Sequence, residues 1–493
     1  MTGRSHQSTP TVTSVYDTGT SQRSISRSTR RTSTANGMVE RIISTDTRVA
    51  TPASQLAPSA TAMTPTIQAG SSGRRVMGGR DVRSATAGGA PPRRHAGCHA
   101  DARFCRRPAV LPGGMRWSSA GSTAPRLDEA AREAGAAVRR GLGGARPDLC
   151  LAFVSSEHRD AWDGLPTMVA AELSPGTLLG CSAGGVIGGG HEHEQAASLS
   201  LTAAVLPGVG VRPFHLNTAD APAVPDAPAG GPPHVILLPD PFSFDVEEAL
   251  RRLDSAFPDG TVVGGLASGG REPGGNVLYG AGGAHRAGCV GVVLAGDLVV
   301  DTIVAQGCRP IGEPMFVTRA ERNVIQELDG RQAGLVLQEI YRHAPKDDRP
   351  LFRQSLLLGI VMQEHRQEYG QGDFLVRNVL GIDGRNGALV VGALVREGMV
   401  VQLHLRDART SAQDLETLLG RYHGEPRGAL LFSCLGRGRG LYGRPDHDTD
   451  AFRARLGDVP LGGFFCNGEI GPVHGTTFLH GYTSAFALFR PRR

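Results

Sequence analysis

Lysine is almost absent from this chain. Of 52 basic side chains Lys346 alone is a lysine, and the rest are arginine. Arginine is thus the ordinary surface cation, and an arginine by itself does not mark an anion site. Long apolar runs are missing too. The richest stretch, Gly288 to Gly307, is cut by Asp297 and Asp301, well short of the roughly 18 uninterrupted apolar residues of a membrane helix. The eight cysteines form no CxxC pair. That excludes a zinc ribbon and, at this length, a disulfide scaffold, so a reduced, cytoplasmic setting is expected. No GxxxxGK[ST] loop occurs, and nothing announces a nucleotide site or another cofactor.

What is present is a chain of 493 residues, 40 % hydrophobic and 20 % charged. That balance suits a globular protein of two or three domains. The net charge of +5 is uneven: residues 1–114 carry 16 Arg against 5 acidic residues, which leaves the remainder at −6. A folded part of that sign argues against nucleic-acid binding. Of the first 70 residues 26 are Ser or Thr, and up to Arg107 the aromatics are Tyr16 and Phe104. Such a segment cannot bury enough surface to offset its ordering entropy, so residues 1–114 are expected to be disordered. An Arg- and Ser-rich transit segment or a regulatory tail would read the same way. So would a mis-assigned start, with Met115 the true initiator after Pro112-Gly113-Gly114.

From Leu127 to Leu142 apolar residues recur at helical spacing, with Asp128 and Glu129 in the first turn and Arg139 and Arg140 in the last, as the helix dipole favours. A pattern then occurs three times. Its first copy runs from Leu149-Cys150-Leu151-Ala152-Phe153-Val154 through a helix at Leu165 to Leu173, then Thr177-Leu178-Leu179-Gly180-Cys181-Ser182-Ala183-Gly184-Gly185, then a strand at Leu199 to Leu206. The second has Val235-Ile236-Leu237-Leu238, a helix at Val246 to Phe257, Gly264-Gly265-Leu266-Ala267-Ser268, and a strand at Cys289 to Leu294. The third has Ala429 to Cys434, a helix near Asp450 to Leu456, Gly462-Gly463-Phe464-Phe465-Cys466-Asn467-Gly468-Glu469, and a strand at Ser484 to Phe489. The opening runs are continuously apolar, as strands buried on both faces are. The expected fold class is α/β: two domains of mixed sheets flanked by helices, built from strand-helix-strand-Gly turn-strand units.

A different block lies between the second and third copies. It reads as strands at Asn323 to Leu328, Ser355 to Met362, Phe374 to Ile382, Ala388 to Val395 and Val400 to Leu405, with a helix at Gln332 to His343. Ser411-Ala412-Gln413-Asp414 has the form of a capping box before a helix to Leu419. The domain boundary is placed near Pro310 and Pro314, giving domains 115–315 and 316–493.

Several motifs compete for the chemistry. Gly180-Cys181-Ser182-Ala183-Gly184 echoes a nucleophile elbow but is followed by Val186, Ile187 and further glycines, not by a helix; a turn needing positive φ is the plainer account. His191-Glu192-His193-Glu194 could offer two metal ligands on one face of a strand, but no further pair accompanies it, and an exposed hairpin tip is expected with no metal. The later block is richer in costly polar residues. Arg377-Asn378 interrupts an apolar strand, Arg406-Asp407 ends another, Cys434 precedes Arg437, and Asn467 precedes Glu469. One account is structural ion pairing, with Arg377 or Arg406 holding Asp407 or Glu469. The other is a polar pocket in which arginine clamps a carboxylate and Glu469 holds an amine, a combination suited to an amino acid.

At these residues the chain resembles the FIST family, named for F-box and intracellular signal transduction proteins. The first half resembles its N-terminal domain through Leu179 to Gly185 and Gly264 to Ser268. The second resembles its C-terminal domain through Phe374 to Asp383, Arg406-Asp407-Ala408, Phe432 to Gly438 and Gly463 to Pro472. The resemblance implies a non-catalytic sensory module that binds a small ligand such as an amino acid and passes its signal to a protein partner. With no kinase motif, coiled-coil heptads or F-box in the sequence, it would be a stand-alone member. The expected ligand-binding set is Arg377, Asn378, Arg406, Asp407, Cys434, Arg437, Asn467 and Glu469, with Gly180, Cys181 and Ser182 from the first half. The competing readings are an enzyme using Cys434 or Cys181 with His404 or His480 as base, and a pure interaction scaffold.

Overall fold

The computed structural model describes residues 114–217, 226–366 and 368–492. The disorder expected for residues 1–114 therefore falls, Gly114 apart, outside the described residues. The architecture is α/β, with four mixed or antiparallel sheets and flanking helices.

Three sheets correspond to the three copies of the sequence pattern. In each, the opening run pairs in parallel with the strand that leads into the Gly-rich turn. These pairs are Leu149–Ser155 with Thr177–Ala183, His234–Pro239 with Thr261–Gly265, and Gly428–Cys434 with Leu461–Cys466. The closing strand of the copy lies antiparallel on the other side: Leu199–Val205, Cys289–Gly296 and Thr483–Arg490 respectively. Beyond it sits one more antiparallel strand: Arg116–Ser122, Val209–Leu216 and Val299–Gln306. The continuously apolar runs are buried throughout, as double-sided packing requires.

The hairpin after each Gly-rich turn does not stay in its own sheet. The first copy's hairpin, Gly185–Gly188 and His191–Glu194, adds to the third sheet through Gly463 and Phe464. The third copy's hairpin, Glu469–Val473 and Thr476–His480, adds to the second sheet through Gly264 and Gly265. The second copy's hairpin, Leu278–Gly280 and Gly283–His285, adds to the first through Gly180 and Cys181. The exchange is cyclic, and one apolar core runs between all three sheets. Phe153 of the first stacks on Phe464 of the third at 4.6 Å, and Ile236 and Val292 of the second join the same cluster. A glycine marks the equivalent place in each copy. A Cβ on Gly180, Gly264 or Gly463 would stand 2.0, 1.9 or 1.9 Å from the carbonyl oxygen of Ala152, Leu237 or Leu431.

The fourth sheet is a closed antiparallel barrel. The long strand Cys308–Glu321 pairs along its first half with Val400–Arg406 and along its second with Val324–Leu328. Leu356–Val361, Phe374–Ile382 and Leu389–Val391 complete the circuit. Met315, Leu358, Ile360, Ile382, Leu389 and Leu403 fill it, and helix Ala333–His343 lends Val336 and Leu337. In chain order the barrel interrupts the third repeat, between its outer strand Val299–Gln306 and its helix Ala408–Arg421. Residue 315 lies within Cys308–Glu321, and strand pairing joins residues on both sides of it in two of the three repeat sheets.

Helix Leu127–Gly141 matches its sequence pattern and buries Leu127, Ala130, Ala134 and Val138. The capping box at Ser411 does not start its helix. Asp407 accepts from Arg409 N at 3.1 Å and from Thr410 Oγ1 at 2.8 Å, so the cap lies a turn earlier and Ser411 is buried inside the helix.

Candidate ligand cleft

The barrel and the third repeat meet at a cleft of about 340 Å³. Its polar lining is Arg353, Gln354, Ser355, Asn378, Arg406 and Tyr482, over an apolar floor of Phe352, Leu356, Leu357, Val379 and Leu380. Each side chain arrives by a simple route. Asn378 follows Val376 by two residues on one strand, and Val376 packs with Cys308, Leu357 and Tyr482 on the barrel wall that faces the repeat. Arg406 is the last residue of its strand. Tyr482 sits at positive φ (66°) in the turn before Thr483–Arg490.

The contacts fix these groups. Arg406 donates to Gly436 O at 3.0 Å, and its guanidinium lies 6.0 Å from the Tyr482 ring centre. The Tyr482 hydroxyl donates to Asn378 Oδ1. Burial pushes that phenol up to about 12, so it stays a donor at neutral pH. Arg353 donates to the Tyr341 hydroxyl at 3.0 Å.

Behind Tyr482 the polar groups are sealed from solvent. Glu469 is fully buried. Its Oε2 accepts from Thr483 N at 3.0 Å and Thr483 Oγ1 at 2.8 Å, and its Oε1 from Cys466 Sγ at 3.4 Å. Burial pushes its carboxyl up to about 7, against the pull of the Thr483 hydrogen bonds. Arg437, 1 % exposed, grips Asp448 with both arms, Nε to Oδ2 at 2.9 Å and Nη2 to Oδ1 at 3.0 Å, and reaches Ser411 Oγ at 2.8 Å. Burial works against both charges. Arg437 outweighs it at Asp448, which is held well below the usual carboxylate range.

The first copy's hairpin closes over this pair. Glu192 is 6 % exposed, so the expectation of an exposed tip at His191-Glu192-His193-Glu194 fails at this residue. Its Oε1 accepts from Asp448 N at 3.0 Å and Thr449 N at 3.1 Å, capping the helix His447–Leu456 from another repeat. Burial, and then Asp448 close by, push the Glu192 carboxyl up to about 8. The sign follows from linkage. Between the ordinary value near 4.5 and about 8 the folded chain holds a proton that the unfolded chain has lost, so stability falls as pH rises through that window. Glu192→Gln is expected to flatten this slope and to stabilise the protein relative to wild type at pH 8 more than at pH 5. Urea midpoints at the two pH values check it, and an unchanged slope would refute the assignment.

The remaining residues of the expected set lie elsewhere. Arg377 donates to Leu479 O at 3.0 Å and pairs with Glu247 at 3.7 Å, and Asp407 pairs with Arg309 at 3.3 Å. The ion pairs are therefore not those the sequence suggested. Cys434 is partly buried at the end of its strand, two residues before Gly436, where Arg406 binds. Asn467 N donates to Leu266 O at 3.1 Å, and Leu266 N to Gly468 O at 2.9 Å, knitting the third Gly-rich turn to the second. In the first half Gly180 and Cys181 are buried in mid-strand. Ser182 Oγ donates to Asn276 Oδ1 at 3.1 Å and accepts from Val277 N at 3.0 Å, and Asn276 in turn holds Asp240 at 2.9 Å. This serine anchors the second copy's loop to the first.

Two family models match the chain: the FIST N domain over residues 148–331 and the FIST C domain over residues 333–472. The chain belongs to the FIST family. FIST domains are associated with sensory roles in signal transduction. Rv0628c of Mycobacterium tuberculosis (strain ATCC 25618 / H37Rv) is 40 % identical over 384 residues, taking in 76 % of this chain and 100 % of that protein. Mb0898c of Mycobacterium bovis is 37 % identical over 378 residues, 74 % of this chain and 97 % of its own. The F-box/LRR-repeat protein At5g63520 of Arabidopsis thaliana is 25 % identical over 202 residues, 35 % of this chain and 36 % of that protein.

In this FIST protein the barrel spans both matches: strands Cys308–Glu321 and Val324–Leu328 fall in the FIST N match, and the other four fall in the FIST C match with most of the cleft, while Tyr482 lies ten residues beyond it. Burial, with Glu469 beside it, pushes the Cys434 thiol up to about 12. His404 is bonded to Gln402 O at 3.0 Å and His480 to Gly471 O at 2.9 Å, and burial lowers both to about 4. Among the described residues no group of three or more His, Cys, Asp or Glu could hold a metal ion, and no helix is long and apolar enough to cross a membrane. The sequence had not pointed to Arg353, Ser355 or Tyr482. Nothing in their spacing marks them, because Tyr482 meets Arg353 and Ser355 only where the third repeat packs on the barrel.

Proposed function

We propose that this FIST protein is a cytoplasmic, non-catalytic sensor that binds a small polar ligand in the cleft between barrel and third repeat and signals to a protein partner. The observation that carries the reading is the convergence of Arg406, Asn378 and Tyr482 on one cleft of about 340 Å³, of a size and polarity typical of small-molecule sites. Arg406 and Asn378 meet the ligand. Glu469, Cys434 and Arg437 hold the walls, and Arg377 ties the barrel to the second repeat through Glu247. A ligand at the seam touches both bodies, so occupancy would alter how they pack, which is what a partner could read. The family's sensory association supports the reading.

A thermal-shift screen of the full chain against amino acids, small carboxylates and nucleotides tests it. A site filled to about 100 times its dissociation constant adds roughly 2.7 kcal/mol of stability. A stabilising compound whose effect is lost in Arg406→Gln is the expected result. A flat screen on well-folded protein would overturn the reading in favour of an interaction scaffold.

A further inference from the structure

The hydrogen-bonding inventory of the cleft narrows the ligand, on the reading that the cleft is the ligand site. We infer that it takes an organic acid with an apolar body, a carboxylate without an ammonium group, rather than an amino acid.

Two cations share the cleft, Arg353 and Arg406. Among the described residues neither pairs with a carboxylate; their bonds go to the Tyr341 hydroxyl and Gly436 O. No Asp or Glu stands in the lining. Both arginines line one concave space without an acidic partner, so an anion entering it gains from either charge, and each keeps donors in the fork that fits a carboxylate. The neutral groups lean the same way. Tyr482 gives its proton to Asn378 Oδ1, which leaves the Asn378 amide as a donor toward the cleft. Ser355 gives its proton to Leu351 O at 3.2 Å. The side-chain acceptors left are the hydroxyl oxygens of Ser355 and Tyr482 and the Gln354 carbonyl, all uncharged.

An ammonium ion leaving water needs an anionic partner. The carboxylate that the sequence offered for it, Glu469, is fully buried with both oxygens engaged by Thr483 and Cys466. The floor of Phe352, Leu356, Leu357, Val379 and Leu380 suits a branched or aromatic body.

Three nearly isosteric probes separate the possibilities: 4-methylpentanoate, leucine, which adds the amine, and 3-methylbutylamine, which lacks the carboxylate. Calorimetric titration of the full chain should show the acid binding at least tenfold more tightly than leucine, with no binding of the amine. Arg406→Gln should weaken the acid at least tenfold. Leu380, 49 % exposed at the rim, gives a second variant with little risk to folding. Leu380→Asp should weaken the acid and narrow or reverse its advantage over leucine. Leucine binding as well as the acid or better, and lost in Arg406→Gln, would overturn the ligand class while leaving the site in place. Binding that ignores both variants, or no binding by any of the three, would overturn the class and the cleft together.

Discussion

Arg437→Ala is expected to cost about 3–5 kcal/mol, the range for breaking a buried pair by removing one partner. Asp448 would be left with its charge in a site 1 % exposed, keeping Ser433, Ser484 and His447 as neighbours but losing its guanidinium partner. The loss should concentrate where the first and third copies meet, since Asp448 N also donates to Glu192 Oε1. Urea unfolding at pH 7 measures it. Arg437→Lys, which keeps the charge but not the two-armed grip, should recover part of the loss. A cost below about 1 kcal/mol for the alanine variant would mean that water or a rearranged side chain reaches Asp448, and the buried pair would not be the clasp described here.

Gly463→Ala is expected to be nearly as damaging, about 3 kcal/mol or more. The new Cβ would lie 1.9 Å from Leu431 O, a backbone atom held in a parallel pair and unable to swing aside. The backbone there has a φ of +147°, which alanine rarely adopts. Overpacking alone costs about 1–3 kcal/mol and the strained backbone adds to it. Gly264→Ala, with φ at +153° and the same contact to Leu237 O, should behave alike. Gly420→Ala is the control. It lies in helix Ala408–Arg421 with open space around its Cβ position, so it should stabilise the protein by about 0.5–1 kcal/mol. Thermal melts of the three variants decide the matter. Tolerance of alanine at 463 and 264 would mean that the parallel pairs are looser than drawn.

The cleft was only half legible. Arg406 and Asn378 stood out because a polar residue inside or ending an apolar strand is costly without a partner. Tyr482 and Arg353 did not, since an aromatic after glycine and an arginine near a helix end are unremarkable in a chain whose cations are nearly all arginine. Glu469 was conspicuous for the same reason as Arg406, yet its partners proved to be Thr483 and Cys466. Burial was readable there, the partner was not. The hairpin at His191 to Glu194 misled in the opposite way. Four polar residues in a row look like an exposed tip, but Glu192 finds the free amides of a helix 256 residues away.

The sequence by itself determined the elements and the repeat. Apolar runs of strand length, helices with charges matched to their dipoles and a glycine at one place in each copy are all local patterns, and they recur in the structure. What only the tertiary structure decided is the partner of each hairpin and the closure of the barrel. Period-two alternation says which face of a strand is buried, not which strand lies beside it. The three Gly-rich turns are chemically alike, so nothing local tells the first hairpin to join the third sheet. That choice comes from packing one shared core among three sheets. It also presses the third copy's Tyr482 against the barrel's Asn378, and so makes the cleft.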